Sequence, residues 1–318
     1  MEDLQTTVNG MGQRIKEMRT KGYVFEKDLE SKAADFAKQW SALQPSLLSQ
    51  INTQAATLQG AIRSIDLKMT QLAGLRANLS AARPLMTTIQ AEMDLLEDKV
   101  RSAEGTINGM YNSFNSQVSA VKGHLAEVDR MLKELAEATF KLLPTEGGIM
   151  SVKAVWCKDV KERDDDPEGV LFLTDQRLIF EQREEVATKK VLFITTEKKK
   201  VQELEWEAPV ALVDEIKTSK QGMMKNEDHL DIRFASGAPM QTIHLHIWQP
   251  CETWLALINR AKSKDFDQTR AVAIDQAAVD KVKSLPSQCP SCGANLDQVV
   301  LRGQEQVKCE YCGFVIRL

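Results

Sequence analysis

The sequence has little of several things that point to function. Aromatic residues make up only 6% of the 318 residues, the formal net charge is only -4, and the pI is near 5.8. The weak acidic charge argues against a protein that coats nucleic acid, because such proteins normally carry a basic excess. The scarcity of aromatic residues indicates that much of the chain is helix packed by Leu, Met and Ala.

Long apolar runs and secretory features are also missing. No uncharged apolar stretch approaches the ~20 residues that a transmembrane helix needs. The segment from Met1 to Thr7 has neither the basic nor the apolar region of a signal peptide. Cys157 and Cys251 stand singly and far apart, which is typical of buried thiols in a reducing compartment. The sequence therefore predicts a cytoplasmic protein, with peripheral membrane attachment as a variant of this prediction.

Four further cysteines form two Cys-x-x-Cys pairs, Cys289/Cys292 and Cys309/Cys312, with sixteen residues between the pairs. A glycine follows each pair and allows its tight turn to close. This spacing is typical of a tetrahedral four-thiolate site and predicts one structural Zn²⁺. Two disulfides of a secreted module are the alternative. Segments 298–301 and 306–308 predict a short hairpin that turns near Gly303. The tail over 286–318 resembles the zinc-ribbon (rubredoxin-like) family.

The first 144 residues carry a coiled-coil pattern. An apolar residue recurs at every seventh position, and a second apolar column accompanies it at alternating steps of three and four. The first column comprises Ile51, Leu58, Ile65, Leu72, Leu79, Met86, Met93, Val100, Ile107, Phe114, Val121, Val128 and Leu135. The pattern predicts a helical coiled-coil stalk over 1–144, whose seam needs a partner from the same chain or from another copy.

Pro84 leaves two arrangements of the stalk open. Proline removes a helical hydrogen bond, so Pro84 could begin a new helix and give an antiparallel pair, 26–82 against 85–142. The apolar register nevertheless passes through Pro84 without slipping. That continuity favours one kinked helix paired with another chain.

Beyond Gly148 the apolar period changes from that of a coiled coil to that of strands. Eight candidate strands lie between Met150 and Ile247, and a helix follows over 250–262. Strands in unbroken succession before one helix predict an antiparallel, strongly bent sheet that the helix covers. Residues 169–180, GVLFLTDQRLIF, resemble the G-x-L-x-x-T-x-x-R-L-x-F signature of GRAM and bacterial PH-like domains. The resemblance implies an antiparallel β-barrel with a C-terminal capping helix over 145–264, used to bind phosphoinositides or proteins. A linker helix over 265–285 is predicted to join it to the ribbon.

Three sets of polar residues in the middle domain are candidates for binding. The predicted anionic-ligand patch comprises Lys198, Lys199, Lys200, Lys217, Lys220 and Lys225. Neighbouring glutamates such as Glu203 and Glu205 favour ordinary solvated lysines instead. Arg177 is predicted to anchor a turn. His244 and His246 share a strand face, but the sequence shows no third metal ligand beside them, so both are predicted to be structural.

The sequence shows no nucleophile–base pair, phosphate-binding glycine loop or carboxylate pair. It predicts a multidomain α+β protein with a non-enzymatic scaffold or adaptor function, which oligomerises or binds protein partners. One alternative is a peripheral membrane sensor of phosphoinositides or other anionic lipids. Another is a nucleic-acid-associated zinc-ribbon factor, which is disfavoured because acidic residues offset the few basic ones around the ribbon.

Overall fold

The structure is a computed structural model that describes residues 2–159, 162–191, 194–222, 226–275, 277, 280, 286–296 and 298–318. The chain divides into two compact units. One unit comprises Met1–Gln13 and Glu30–Gly123, and the other comprises Arg14–Leu29 and His124–Leu318. Each unit therefore combines segments that are distant in sequence. Within the described part of the chain, no helix is long and apolar enough to cross a membrane.

Three long helices form the N-terminal part of the chain: α1 (Glu2–Thr20), α2 (Leu29–Gly74) and α3 (Leu79–Glu137). In the first unit α2 and α3 run antiparallel. Lys68 Nζ lies 2.5 Å from Glu92 Oε1, and the rings of Trp40 and Phe114 stack with their centroids 5.8 Å apart. A helical hairpin within one chain is thus the observed arrangement, and the single kinked helix is not formed.

The hairpin turns at residues 75–78, before Pro84. The Asn78 side chain caps α3, because its Oδ1 accepts a hydrogen bond from the Ala81 N–H at 3.2 Å. Asparagine is among the best N-capping residues, whereas Arg83 offers no comparable cap. Pro84 lies inside α3, within its second turn. The local capping chemistry therefore decides where the chain reverses.

The second unit contains a seven-stranded antiparallel sheet. Its strands are β1 (Gly148–Cys157), β2 (Glu168–Thr174), β3 (Arg177–Val191), β4 (Ile194–Pro209), β5 (Val213–Gln221), β6 (Glu227–Phe234) and β7 (Thr242–Ile247), with a 3-10 turn at Val210–Leu212. The strand order is β4-β3-β2-β1-β7-β6-β5, so β1 pairs with both β2 and β7. Helix α4 (Cys251–Lys262) packs against β5, β6 and the 3-10 turn and buries Trp254 and Ile258 completely. The predicted helix-covered antiparallel sheet is confirmed.

The sheet is not the closed barrel that the sequence predicted. In the described part of the chain, no ladder joins β4 to β5, the strands at the two ends of the order. Strand β3 pairs with β4 along its whole length but with β2 only as far as Gln182. Beyond Gln182 its only partner in the described part of the sheet is β4. Closure needs strands of matched length and stagger, which this long β3–β4 hairpin does not offer. Charged residues along β4, including Lys200 and Glu203, are typical of a protected edge strand.

A segment from the N-terminal region completes the second unit. The Ala271 N–H donates to the Val24 carbonyl at 2.8 Å, and the Lys27 N–H donates to the Thr269 carbonyl at 2.9 Å. The rings of Phe25 and Phe266 pack edge to face, with their centroids 5.5 Å apart. Residues 24–27 therefore lie alongside residues 269–271 in the same compact unit.

The predicted linker helix is correspondingly wrong over 269–275. A short helix, α5 (Asp265–Gln268), is present, but residues 269–275 are not helical. Their backbone groups bond to residues 24–27, and this pairing replaces the helical hydrogen bonds. The remainder of the predicted helix lies largely outside the described residues.

Candidate metal centre and binding surfaces

The structure brings the four cysteines of the tail together. Cys289 Sγ lies 3.7 Å from Cys312 Sγ, and Cys292 Sγ lies 3.7 Å from Cys309 Sγ, with all four sulfurs within 4.8 Å of one another. Zinc–sulfur bonds of about 2.3 Å in a tetrahedron place the sulfurs about 3.8 Å apart. The four thiols therefore have the spacing that one tetrahedral metal ion requires.

The two cysteine turns have the same backbone geometry. The Gly293 N–H donates to the Cys289 carbonyl, and the Gly313 N–H donates to the Cys309 carbonyl, both at 2.9 Å. Gly293 and Gly313 have φ of 71° and 74°, a left-handed conformation that glycine adopts without a Cβ clash. The glycine after each pair thus has the role that the sequence predicted.

The backbone also favours a thiolate at the first cysteine. Burial opposes ionisation of Cys289, but hydrogen bonds from the N–H groups of Cys292 and Ser291 outweigh it and lower the pKa of this thiol to about 7. A thiolate is the form that binds metal. The pKa of Cys292 moves the other way. A hydrogen bond from the Ala294 N–H lowers it, but hydrogen bonds with the neighbouring cysteine thiols outweigh that bond and raise it, so the thiols of the cluster share their protons.

The hairpin between the cysteine pairs differs from the prediction. Residues 306–308 do form a strand, β8 (Gln306–Lys308), but its partner is β9 (Val315–Arg317), and 298–301 is not a strand. The second cysteine turn lies between the two strands and sets their register. Gly303 does lie in a turn, with φ of 84°.

This turn attaches the ribbon to the sheet. The Gln176 side chain donates to the Arg302 carbonyl at 2.9 Å and accepts from the Arg302 N–H at 2.6 Å. The Arg302 guanidinium also pairs with Asp175. A Cβ atom on Gly303 would lie 2.0 Å from the Pro144 carbonyl oxygen, so only glycine permits this approach. The ribbon is docked on the β2–β3 turn through specific polar contacts.

Arg177 anchors that same turn from inside, as the sequence predicted. Its guanidinium lies 2.6 Å from Glu146 Oε2, and both side chains are buried. Glu146 also accepts a hydrogen bond from the Thr174 hydroxyl at 2.6 Å. Buried charges persist when they are paired and hydrogen-bonded. Arg177 is thus engaged within the fold.

The predicted lysine patch draws on two strands of the sheet, and part of it lies outside the described residues. Lys198, Lys199 and Lys200 lie on β4, whereas Lys217 and Lys220 lie on β5, at the other end of the strand order. Lys220 Nζ pairs with Asp228 at 2.6 Å, and Lys217 Nζ lies 3.6 Å from Glu215. Lys225 lies outside the described residues, as do the side chains of Lys198 and Lys199. The described lysines on β5 therefore have acidic partners in the fold.

The helical hairpin uses only part of its predicted seam. On α3, Ala82, Ile89 and Ala103 of the second column are buried. The matching stretch of the first column is exposed by 36–73% and comprises Leu79, Met86, Met93 and Val100. Ile62 and Met69, also seven residues apart, are exposed on α2. We call these six residues the apolar face of the hairpin.

Histidines of the sheet have partners that the sequence did not reveal. His244 Nδ1 lies 2.6 Å from Asp231 Oδ1, and His246 Nδ1 lies 2.7 Å from Glu162 Oε2. His229 stacks against His246, with the ring centroids 4.8 Å apart. Burial first, and then the neighbouring His246, lower the pKa of His229. These contacts join residues from β6, β7 and the β1–β2 loop, so no local sequence pattern reports them.

Comparisons with known proteins give little further information. No protein-family model matches the chain, and no curated protein matches it. Among solved structures, the C-terminal domain of an unknown protein from Leishmania infantum matches at 19% identity, over 36% of this chain and 84% of its own, with a TM-score of 0.22. The DH/PH domains of PDZ-RhoGEF in complex with GTP-gamma-S activated RhoA match at 12% identity, over 83% of this chain and 90% of theirs, with a TM-score of 0.29. Scores this low do not establish a shared fold.

Proposed function

We propose that this protein is a non-enzymatic scaffold that self-associates through the apolar face of its helical hairpin. The observation that carries the proposal is the exposed column Leu79, Met86, Met93 and Val100. These side chains recur every seventh residue, the spacing at which one helix packs against another. Exposed contiguous apolar surface on this scale marks an interaction site.

A second copy of the chain is the occupant that fits best. The apolar face combines residues from both helices, so two hairpins can pack face to face as a four-helix arrangement and continue the same heptad geometry. Charged neighbours such as Glu97 and Arg101 flank the face. Such flanking charges set orientation between paired helices.

The remaining modules support a scaffold. The strand succession and the covering helix α4 fit the GRAM/PH-like resemblance of residues 145–264, and we assign this domain to protein binding. Acidic partners of Lys217 and Lys220 weaken the lipid alternative. We assign one structural Zn²⁺ to the cysteine cluster, since four thiolates leave no open position for a substrate. Cys157 and Cys251 are buried and form no disulfide, and we assign the protein to the cytoplasm, where thiols stay reduced.

Light scattering coupled to size-exclusion chromatography tests the proposal on the full chain. We expect a dimer or larger oligomer that becomes monomeric when Met86→Glu and Met93→Glu are combined, because charges in an apolar interface lose their hydration. Ala91→Glu is the matched control, since Ala91 is exposed on another side of α3. The control should leave the oligomer intact.

Two results would reject self-association. One is a wild-type monomer at every concentration, which would leave the apolar face to a different protein. The other is an oligomer that survives the double change while circular dichroism shows intact helices.

A further inference from the structure

Glu162, His229 and His246 form a second cluster of metal-ligating side chains. His229 on β6 and His246 on β7 are direct cross-strand partners in the ladder. One ligand atom from each of the three residues lies within 4.8 Å of the other two. The cluster is separate in sequence from the cysteine tail and has no part in the scaffold function.

One nitrogen of this cluster has no hydrogen-bond partner. The His229 side chain is only 6% exposed, and its Nε2 is buried without a partner in the described part of the chain. The nearest carboxylate oxygen, Glu227 Oε2, is 3.9 Å away, which is too far for a hydrogen bond. A buried polar atom left this way costs about 1–3 kcal/mol. A ligand that binds this nitrogen would remove that cost.

We propose that Glu162, His229 and His246 bind a divalent transition-metal ion of the zinc class. Two imidazoles and one carboxylate are a recurring donor set for such ions, with a fourth position left for water or a further ligand. The ligands of the proposed site are nitrogen and oxygen atoms, which suit ions such as Zn²⁺ and Co²⁺, whereas the cysteine centre offers four sulfur ligands.

Metal binding requires these side chains to rearrange locally. Nitrogen and oxygen ligands at about 2.0–2.1 Å from a tetrahedral ion lie about 3.4 Å apart. The Glu162 side chain is 37% exposed and lies in the β1–β2 loop, so it can move toward the ion. The His229 and His246 rings stack at an interplanar angle of 12°, so their in-plane lone pairs run nearly parallel, and one ring must rotate about its Cβ–Cγ bond before both can bind one ion. The ladder fixes the two backbones as cross-strand neighbours, and the ring rotation is the larger part of the rearrangement.

A purely structural role accounts for only part of this cluster. The ion pair with Glu162 explains His246, and the Asp231 contact explains His244. Neither explains why His229 is buried with an unpartnered nitrogen. That residue distinguishes a ligand site from a pair of histidines satisfied by carboxylates.

Cobalt titration of the full chain tests the site. The protein is prepared with one zinc per chain, and Co²⁺ is added while binding is followed by calorimetry and absorption. We expect one further equivalent to bind without a thiolate-to-cobalt charge-transfer band, because the ligands are nitrogen and oxygen. Glu162→Gln and His246→Gln should each weaken this binding at least tenfold. His244→Gln, two residues away on the same strand, should not change it.

His229→Gln should have the same effect as His246→Gln, with circular dichroism as the check on folding. Should that buried substitution unfold the sheet, Glu162→Gln decides alone, because Glu162 is in an exposed loop. Absence of a second bound ion at millimolar Co²⁺ would overturn the proposal. So would a charge-transfer band accompanying the second ion, or an equal loss of binding in His244→Gln.

Discussion

The ribbon and the seven-stranded sheet belong to one compact unit, yet different interactions hold them together. The sheet buries large apolar side chains such as Leu171, Phe172 and Trp254 almost completely. The buried cluster of the ribbon consists of Cys289, Leu296, Cys309 and Ile316, of which the two cysteines belong to the proposed zinc site. At about 25 cal/mol per Å², so small an apolar area cannot offset the entropy of ordering the chain. From this difference we expect the sheet to be stabilised by its apolar core and the ribbon to need a metal ion for folding.

The largest expected effect is the loss of the metal from the ribbon. Cys309→Ser, or a chelator, should unfold 286–318 and leave the sheet folded, because zinc binding supplies about 10–16 kcal/mol in comparable sites. Hydrogen exchange would show β8 and β9 losing protection while β1 and β2 keep theirs. Ser291→Ala, an exposed change between two ligands, is the control and should alter neither.

Metal-dependent folding of the ribbon is contradicted if the amides of β8 and β9 stay protected from hydrogen exchange in Cys309→Ser with chelator present. It also fails if the purified chain contains no zinc.

A smaller effect tests whether the sheet depends on its apolar core alone. Arg177→Met should lower the free energy of unfolding by about 3–5 kcal/mol, because it leaves Glu146 buried and unpaired. Combining it with Glu146→Leu should recover much of this loss, since both charges are then gone. Urea denaturation followed by tryptophan fluorescence measures both. Equal destabilisation by the single and the double change would contradict the ion-pair account.

The next smaller effect is expected from a substitution that disturbs the contact between the ribbon and the sheet. Gly303→Ala adds a Cβ against the Pro144 carbonyl, on top of the ~1–2 kcal/mol that left-handed backbone costs an alanine. We expect the ribbon to undock and to keep one zinc per chain, which faster proteolysis and metal analysis would show. Gly237→Ala is the matched control, because Gly237 also has positive φ, 95°, but nothing lies near its Cβ. Identical behaviour of the two variants would mean that the docking contact has no energetic role.

The smallest effect is a pH dependence specific to the sheet. Burial opposes ionisation of Glu181, but hydrogen bonds from the Thr139 hydroxyl and N–H, both at 2.6 Å, and from Arg183 lower its pKa. The folded-state pKa is thus below the unfolded one. Ionised Glu181 therefore stabilises the folded state fully above the ordinary glutamate pKa of about 4.3. This stabilisation is lost as the pH falls through the lower pKa that Glu181 has in the folded state.

Glu181→Gln should therefore be less stable than wild type at neutral pH by about 1.5–3 kcal/mol, the scale of hydrogen bonds to a charged group. Denaturation at a series of pH values should show the difference shrinking toward acid. A constant difference across the series would exclude Glu181 as the titrating group.

Features fixed by neighbouring residues were predictable from the sequence. The cysteine cluster follows from two four-residue turns and their glycines, and the anchoring role of Arg177 follows from the Thr174–Arg177 turn. The heptad columns predicted that most of this region is helical, although their continuity through Pro84 did not show that the chain reverses at 75–78. In these cases the interactions that decide the structure lie within a few residues of one another.

Features decided by distant segments were not predictable in the same way. The open sheet depends on how far β3 and β4 extend beyond β2, and the non-helical conformation of 269–271 depends on residues 24–27. Strand β8 pairs with β9 because the second cysteine turn joins them. The partners of His246 come from β6 and the β1–β2 loop. One sequence carries no signal for pairings of this kind.

The pairing of residues 24–27 with 269–271 has a consequence for biosynthesis. The Val24–Ala271 hydrogen bond spans 247 residues, from 271 minus 24. At about 5–20 residues per second, a ribosome makes Ala271 about 12–50 s after Val24. Throughout that time Phe25 lacks its aromatic neighbour Phe266, so the second unit cannot be completed. The earliest part of this unit to be synthesised is thus among the last to reach its native contacts.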